Sequence, residues 1–145
     1  MIYHSHSVEE TEAIAAELAR TLRGGEVIAL NGELGAGKTH FVRGLVRGLG
    51  GMPRAVSSPT FVLLNVYHTR SFTVFHLDAY RVAGGDDFEA IGFTELLEQN
   101  GIVIVEWASR VQDLLPAQRI EITLTQTGAT DRTIDISVTD PTGPA

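Results

Sequence analysis

The sequence contains no cysteine, which removes disulfides and thiolate metal sites from consideration. It also lacks long apolar runs. Stretches such as Ile102-Val103-Ile104-Val105 are far shorter than the ~20 residues a membrane-crossing helix needs, so no membrane association is expected. Basic residues are scarce, 11 Lys and Arg against 18 Asp and Glu, for a net charge of −7. A broad nucleic-acid footprint requires clustered Lys and Arg, so any role near RNA is expected to run through a partner. The N-terminal Met1-Ile2-Tyr3-His4-Ser5-His6-Ser7 lacks the basic, apolar, small-residue order of a secretory signal. Together with the missing cysteine, this makes a cytoplasmic location the expectation. What remains is 145 residues, 43% hydrophobic and 20% charged. That composition suits one globular domain able to bury about two thirds of its unfolded surface.

The most informative segment is Gly32-Glu33-Leu34-Gly35-Ala36-Gly37-Lys38-Thr39, a complete G-x-x-x-x-G-K-[ST] phosphate loop. The apolar run Val27-Ile28-Ala29-Leu30 leads into it, and a helical pattern beginning near Lys38 leaves it. In such a loop, backbone N–H groups cradle the α/β-phosphates, the lysine reaches the β/γ-phosphates and the hydroxyl ligates Mg²⁺. Glu33, Leu34, Gly35, Ala36, Gly37, Lys38, Thr39 and His40 are therefore the expected contacts to a nucleoside triphosphate. Gly32 and Gly37 stand where a Cβ would impede the backbone's approach to phosphate. The guanine-reading N-K-x-D pattern is absent, which favours ATP.

Around the loop, the pattern predicts one α/β layered domain over residues 1–139, with a mixed, largely parallel sheet, flanking helices and antiparallel hairpins. Residues 140–145, rich in Pro and Gly, read as a disordered tail. Ser7 and Glu10 form a capping box opening a helix that runs to Gly24-Gly25. Residues 56–68 and 72–78 are β-rich and separated by Thr69-Arg70-Ser71, predicting a hairpin. Asp86 and Glu89 start another helix, with Phe88, Ile91, Leu96 and Leu97 buried. The run 102–105 reads as a buried parallel strand, and a short turn of helix follows near Ser109 and Leu115. Alternation over 120–124 and 134–138 predicts a second hairpin at a solvated sheet edge.

A phosphate loop needs a carboxylate to complete the Mg²⁺ shell, normally at the end of a neighbouring buried strand. Asp78 closes the run Val74-Phe75-His76-Leu77-Asp78 and fits that place, where α/β sheets bind ligands. The alternative is an Asp capping the next turn. His76, on the same face by strand period, reads as a packed or hydrogen-bonded core histidine. Many phosphate-loop hydrolases carry Glu directly after this Asp, but here the residue is Ala79. Glu106, ending the 102–105 strand, is the candidate for the catalytic or second metal-side carboxylate. Trp107 beside it is a packing residue, a wall of the site or a partner anchor. In Ser57-Ser58-Pro59-Thr60, Thr60 is placed to meet a γ-phosphate or metal; a turn feeding a strand is the other reading. Arg81 and Arg132 are the remaining cationic candidates, or surface ion-pair residues.

Taken in order, the phosphate loop, Ser58-Pro59-Thr60, His76-Leu77-Asp78-Ala79-Tyr80-Arg81 and Glu106-Trp107 resemble the TsaE/YjeE-type ATPases of tRNA threonylcarbamoyladenosine biosynthesis. The likeness spans about residues 7–138 and includes the acidic Asp86-Asp87-Phe88-Glu89. His40, Ser57, Leu77, Ala79 and Ala108 depart from the family's usual Thr, Lys, Phe, Leu and Pro, and none of these removes a phosphate or metal ligand. The resemblance implies a small ATPase that joins a TsaB–TsaD-type complex, with carbamoyl transfer left to the partner and tRNA met only through it. It implies that Lys38 binds phosphate, that Thr39 and Glu106 hold Mg²⁺, and that Asp78 is a metal-side or catalytic carboxylate, with Thr60 as a switch residue. It further implies that the stretch around His6, Val8 and Thr11 approaches adenine and that Arg132 lies near the nucleotide. Competing readings are a non-catalytic nucleotide-dependent switch and a small-molecule kinase.

Overall fold

The computed structural model describes residues 1–33, 35–59, 63–80, 85–90 and 92–139, with backbone alone for 85–87. In chain order the elements are β1 (Ile2–Ser5), α1 (Val8–Ala19), β2 (Val27–Asn31), α2 (Lys38–Gly48), β3 (Leu64–His68), β4 (Thr73–Asp78), α3 (Gly85–Ala90), α4 (Phe93–Leu97), β5 (Ile102–Glu106), β6 (Arg119–Gln126) and β7 (Arg132–Thr139). Two 3₁₀ segments, Pro53–Ala55 and Ala108–Leu114, complete the set. The strands form one sheet in the order β1-β7-β6-β2-β5-β4-β3. β6, β2, β5 and β4 are mutually parallel, while β3, β7 and β1 join antiparallel at the flanks. The expected mixed α/β sheet is thus present.

Strand alternation sorts the core into two layers. Ile28, Leu30, Val74, Ile102, Ile104, Ile122 and Leu124 face α1 and α2. Ala29, Phe75, Leu77, Val103 and Val105 face Phe88, Phe93, Leu96 and Val111 on the other side. β5 is buried along its whole length, as a central parallel strand covered on both faces must be. α1 and α2 meet through glycine: a Cβ on Gly44 would lie 2.5 Å from the Cα of Glu12, and one on Gly48 2.8 Å from the Cα of Ala16. Lys38 and Thr39, in the first turn of α2, border one cleft with Asp78 and Glu106 at the ends of β4 and β5.

Several boundaries differ from the sequence expectation. α1 stops at Ala19 with Arg20 as C-cap, before the glycine pair. Ser7 caps it, accepting from the Glu10 N–H at 3.1 Å, but the Glu10 carboxylate reaches the His6 N–H at 2.7 Å rather than Ser7. The helix expected from Asp86 is split into α3 and α4, because Gly92 takes a left-handed φ of 83°. The first hairpin is present as β3–β4, with regular strand beginning only at Leu64. The second is present as β6–β7, but it is not the sheet edge: β1 pairs along β7, and β6 pairs parallel with β2. Among the described residues, no helix is long and apolar enough to cross a membrane.

Candidate nucleotide site

β2 delivers the chain to the loop at the sheet's C-terminal rim. Gly37, the N-cap of α2, has φ 101° and ψ 19°, a left-handed conformation that a side chain would strain. The first turn of α2 contains no acidic residue, so its exposed N–H groups and positive dipole end are left to an anion. Gly32 has a packing role as well: a Cβ there would stand 2.9 Å from the carbonyl oxygen of Leu124 on β6.

Lys38 is buried, and its ammonium donates to the carbonyls of Gly32 and Glu33. It lies 4.6 Å from the centre of the Trp107 ring, a cation–π contact. Burial lowers its pKa, and the nearby charges of Glu106, Asp78 and Glu33 act in the opposite sense. The lysine is therefore a desolvated cation held among acidic groups and backbone oxygens, a setting in which phosphate oxygens are strong competitors for its protons.

Asp78 and Glu106 are register partners at the ends of β4 and β5, and Leu30 of β2 is level with Glu106. Both carboxylates are buried, at 2% and 3% relative exposure, and both border a cleft of about 580 Å³ with Lys38, Thr39 and Trp107. Asp78 Oδ1 also accepts from the Tyr80 N–H at 2.8 Å, so the turn-capping arrangement is present within the cleft wall. Ala79 is fully buried in the apolar layer beneath α3 and α4. The position after Asp78 therefore points into the core, and a carboxylate there would be isolated from the cleft.

His76 is fully buried, as expected of a core histidine. It lies between Glu106 Oε2, 2.5 Å from Nε2, and the Tyr67 hydroxyl, 3.0 Å from Nδ1. Trp107 has φ 55°, a left-handed position that is uncommon for a bulky residue. This turn directs the indole over Lys38 and against Tyr80, ring centres 4.9 Å apart. Tyr80 in turn carries the Arg110 guanidinium 5.6 Å from its ring centre.

Arg132 lies across the loop. Its Nε donates to Ala36 O and one Nη to Gly35 O, both at 3.1 Å, and the other Nη reaches Asp131 O at 2.9 Å. It thus holds loop carbonyls turned outward while bordering the cleft. Val8 and His40 border the cleft too, and a small adjoining recess brings Val8 and Thr11 against Gly37 and Arg132. The Thr11 hydroxyl is committed elsewhere, 2.7 Å from Ser5 Oγ. His6 pairs with Asp131 at 3.0 Å, which raises its pKa through that hydrogen bond and the carboxylate charge. Leu34, Thr60 and Arg81 lie outside the described residues, as does the tail 140–145. The sequence reading missed Tyr80 as a cleft residue and Tyr67 as the partner of His76. Tyr67 was accessible in principle, since Asn65 and Tyr67 recur at strand period opposite His76 and Val74.

Chemically, the cleft offers three hard oxygen donors, Thr39, Asp78 and Glu106, beside one buried ammonium. Among the described residues, no group of three or more His, Asp or Glu side chains is arranged to hold a metal alone. Two carboxylates and a hydroxyl are the kind of donors Mg²⁺ takes, since it binds one or two protein carboxylates and completes its octahedron with phosphate oxygens and water. The donor set fits that ion.

Fold and cleft together define the class: a phosphate-loop α/β protein. More particularly, the chain belongs to the TsaE family, since residues 5–134 match the family described as threonylcarbamoyl adenosine biosynthesis protein TsaE. It is 39% identical over 126 residues to the tRNA threonylcarbamoyladenosine biosynthesis protein TsaE of Bacillus subtilis, covering 87% of this chain and 78% of that protein. The protein of the same name from Treponema pallidum is 42% identical over 120 residues, covering 83% and 87%. That of Aquifex aeolicus is 47% identical over 105 residues, covering 72% and 74%. The crystal structure of Bacillus subtilis YdiB superposes with a TM-score of 0.79 at 29% identity, covering 97% of this chain and 86% of that one.

Proposed function

We propose that this protein is a Mg²⁺-dependent ATPase of the tRNA N6-threonylcarbamoyladenosine modification machinery. In this reading it acts in the cytoplasm and supports turnover of a TsaB–TsaD-type complex that carries out carbamoyl transfer, meeting tRNA only through that complex. The observation that carries the reading is the convergence of Lys38, Asp78 and Glu106 at one rim, joined by the phosphate loop and the first turn of α2. The loop N–H groups and Lys38 hold the phosphates, Arg132 keeps the loop in shape, and Val8 and Thr11 border the recess for the base. Thr39 and the two carboxylates would hold Mg²⁺, which when bound would neutralise the charge developing on the phosphate oxygens as ADP leaves. Glu106, the carboxylate backed by His76, orients the attacking water. The names of its relatives support the assignment to the modification pathway. The acidic net charge of −7 supports an indirect relation to tRNA.

A second reading is a nucleotide-dependent switch without turnover of its own, which uses the same phosphate contacts but needs no water-orienting carboxylate. Phosphate release from Mg·ATP, measured with and without the two partner proteins, separates the readings. Release that is slow alone and raised by the partners supports the ATPase. Intact nucleotide binding with no release in either condition supports the switch, and phosphate appearing on an added metabolite supports a kinase.

A further inference from the structure

A hydrogen-bonded path runs behind the cleft wall and joins its two sides. At one end is Ser57, next to the cleft residue Ser58. The Tyr67 hydroxyl is 2.9 Å from the Ser57 carbonyl, and the Ser57 N–H donates back to it at 3.3 Å. Asn65 Nδ2 clasps the same residue, donating to its carbonyl at 3.1 Å and to its hydroxyl at 3.2 Å. Tyr67 then meets His76 Nδ1 at 3.0 Å, and His76 Nε2 meets Glu106 Oε2 at 2.5 Å. The path ends on a carboxylate that borders the cleft.

The register explains why His76 can reach Glu106. His76 is two residues before Asp78, the partner of Glu106 across β4 and β5. It therefore sits one pleat deeper on the same face and approaches the carboxylate from the core side. A terminal carboxyl torsion is broad and roughly two-fold by itself. With Oε2 committed to the imidazole, that freedom is removed and Oε1 is the oxygen left for a metal or its water. Burying such groups adds little to stability in itself, and every buried side-chain polar atom among the described residues is partnered. What the path does supply is direction.

It also contains a two-position element. With the carboxylate as acceptor, Nε2 is the donor to Glu106 and Nδ1 faces the Tyr67 hydroxyl as an acceptor. The tyrosine has one hydroxyl proton for two acceptors, the Ser57 carbonyl and Nδ1. Wherever the Ser57 backbone withdraws, the proton turns wholly to His76 and the hold on Glu106 tightens. Where Ser57 engages it, that hold is shared.

We propose that Tyr67 and His76 are positioning residues that orient Glu106 and couple its orientation to the segment beginning at Ser57. This inference rests on the assignment of the cleft to Mg·ATP. The test uses the full chain and its single tryptophan, Trp107, which directly follows Glu106. MgCl₂ is titrated into the ATP complex of the unaltered protein and of Tyr67→Phe, which keeps the ring and loses only the hydroxyl, with fluorescence as the readout. We expect ATP affinity without Mg²⁺ to change less than about 2-fold and the Mg²⁺ half-saturation to rise roughly 3- to 10-fold, the equivalent of one net hydrogen bond. In a Glu106→Gln background, Tyr67→Phe is expected to add nothing. His76→Gln, which can still donate to the carboxylate and accept from Tyr67, is expected to stay closer to the unaltered protein than His76→Leu.

An unchanged Mg²⁺ half-saturation in folded Tyr67→Phe overturns the proposal, as does an effect that persists in the Glu106→Gln background. An unaltered chain that binds Mg·ATP without hydrolysing it overturns the ATPase reading alone, because the fluorescence titration needs no turnover.

Discussion

Asp78 and Glu106 stand opposite each other in register at the ends of two parallel strands, both almost fully buried and both bordering the same cleft. The buried Lys38 ammonium feels the charge of both carboxylates, so the cleft wall sets one cation against two anions and has room for a further cation. The partners of the two carboxylates differ. Asp78 accepts from the backbone N–H of Tyr80, whereas Glu106 is engaged by His76. Asp78 is thereby tied to the turn that follows it, and Glu106 to a buried side-chain network that holds one of its oxygens and leaves the other towards the cleft.

Lys38→Ala is expected to weaken ATP binding roughly 10- to 100-fold, the loss of a charge-assisted contact to phosphate. The fold should be little affected, because the ammonium's present acceptors are the Gly32 and Glu33 carbonyls of the loop. Isothermal calorimetry measures the affinity, and an unchanged value would count against the loop's assignment.

Arg132→Ala removes the donors that hold the Gly35 and Ala36 carbonyls. We expect nucleotide affinity to fall roughly 5- to 50-fold, on the scale of one or two charge-assisted bonds, with a near-native circular dichroism spectrum. Arg132→Lys should recover little of it, since an ammonium cannot span both carbonyls with a planar fork.

Gly44→Ala tests the α1–α2 crossing. The new Cβ would meet the backbone of Glu12, including its Cα at 2.5 Å, and backbone cannot rotate aside. Overpacking of this kind costs about 1–3 kcal/mol, which for a domain of this size lowers the melting temperature by about 2–12 °C. A melting temperature equal to that of the unaltered protein would contradict the close approach.

The His6–Asp131 pair predicts a pH dependence. The hydrogen bond and charge of Asp131 raise the His6 pKa above its ordinary 6.5. A raised folded-state pKa contributes stability that is fully present below the unfolded value and is lost as pH rises through the folded one. The pair ties the end of β1 to the turn before β7, so that tie should loosen as pH climbs past the raised value. An NMR titration of His6 should show the elevated midpoint, and Asp131→Asn should return it towards 6.5. Equal midpoints in both proteins would remove the pair from the account.

Much of the fold was legible because it is written in local patterns. The phosphate loop, β5 and the β3–β4 and β6–β7 hairpins carry their own periodicity and turn residues. β1 was not legible: Ile2-Tyr3-His4-Ser5 is four residues long, mostly exposed, and becomes a strand only by pairing with β7, about 130 residues away in the chain. The break between α3 and α4 rests on the left-handed conformation of Gly92, where helical spacing runs through uninterrupted. In the site, Asp78 and Glu106 could be placed on one rim because strand ends in parallel sheets converge there. The strand period placed Tyr67 on the strand facing β4 but not its hydroxyl on His76, which is a tertiary hydrogen bond, and the turn at Trp107 rests on a single backbone dihedral.

The central claim is that this cleft hydrolyses ATP with Glu106 as the catalytic carboxylate. It is tested most directly by measuring Mg·ATP affinity and single-turnover phosphate release side by side for the unaltered protein and Glu106→Ala, with the partner complex present. The account predicts that release falls at least ~100-fold while affinity changes less than ~10-fold, the signature of a group acting mainly in the transition state. Equal losses in both would contradict it and leave Glu106 a residue that only holds the metal.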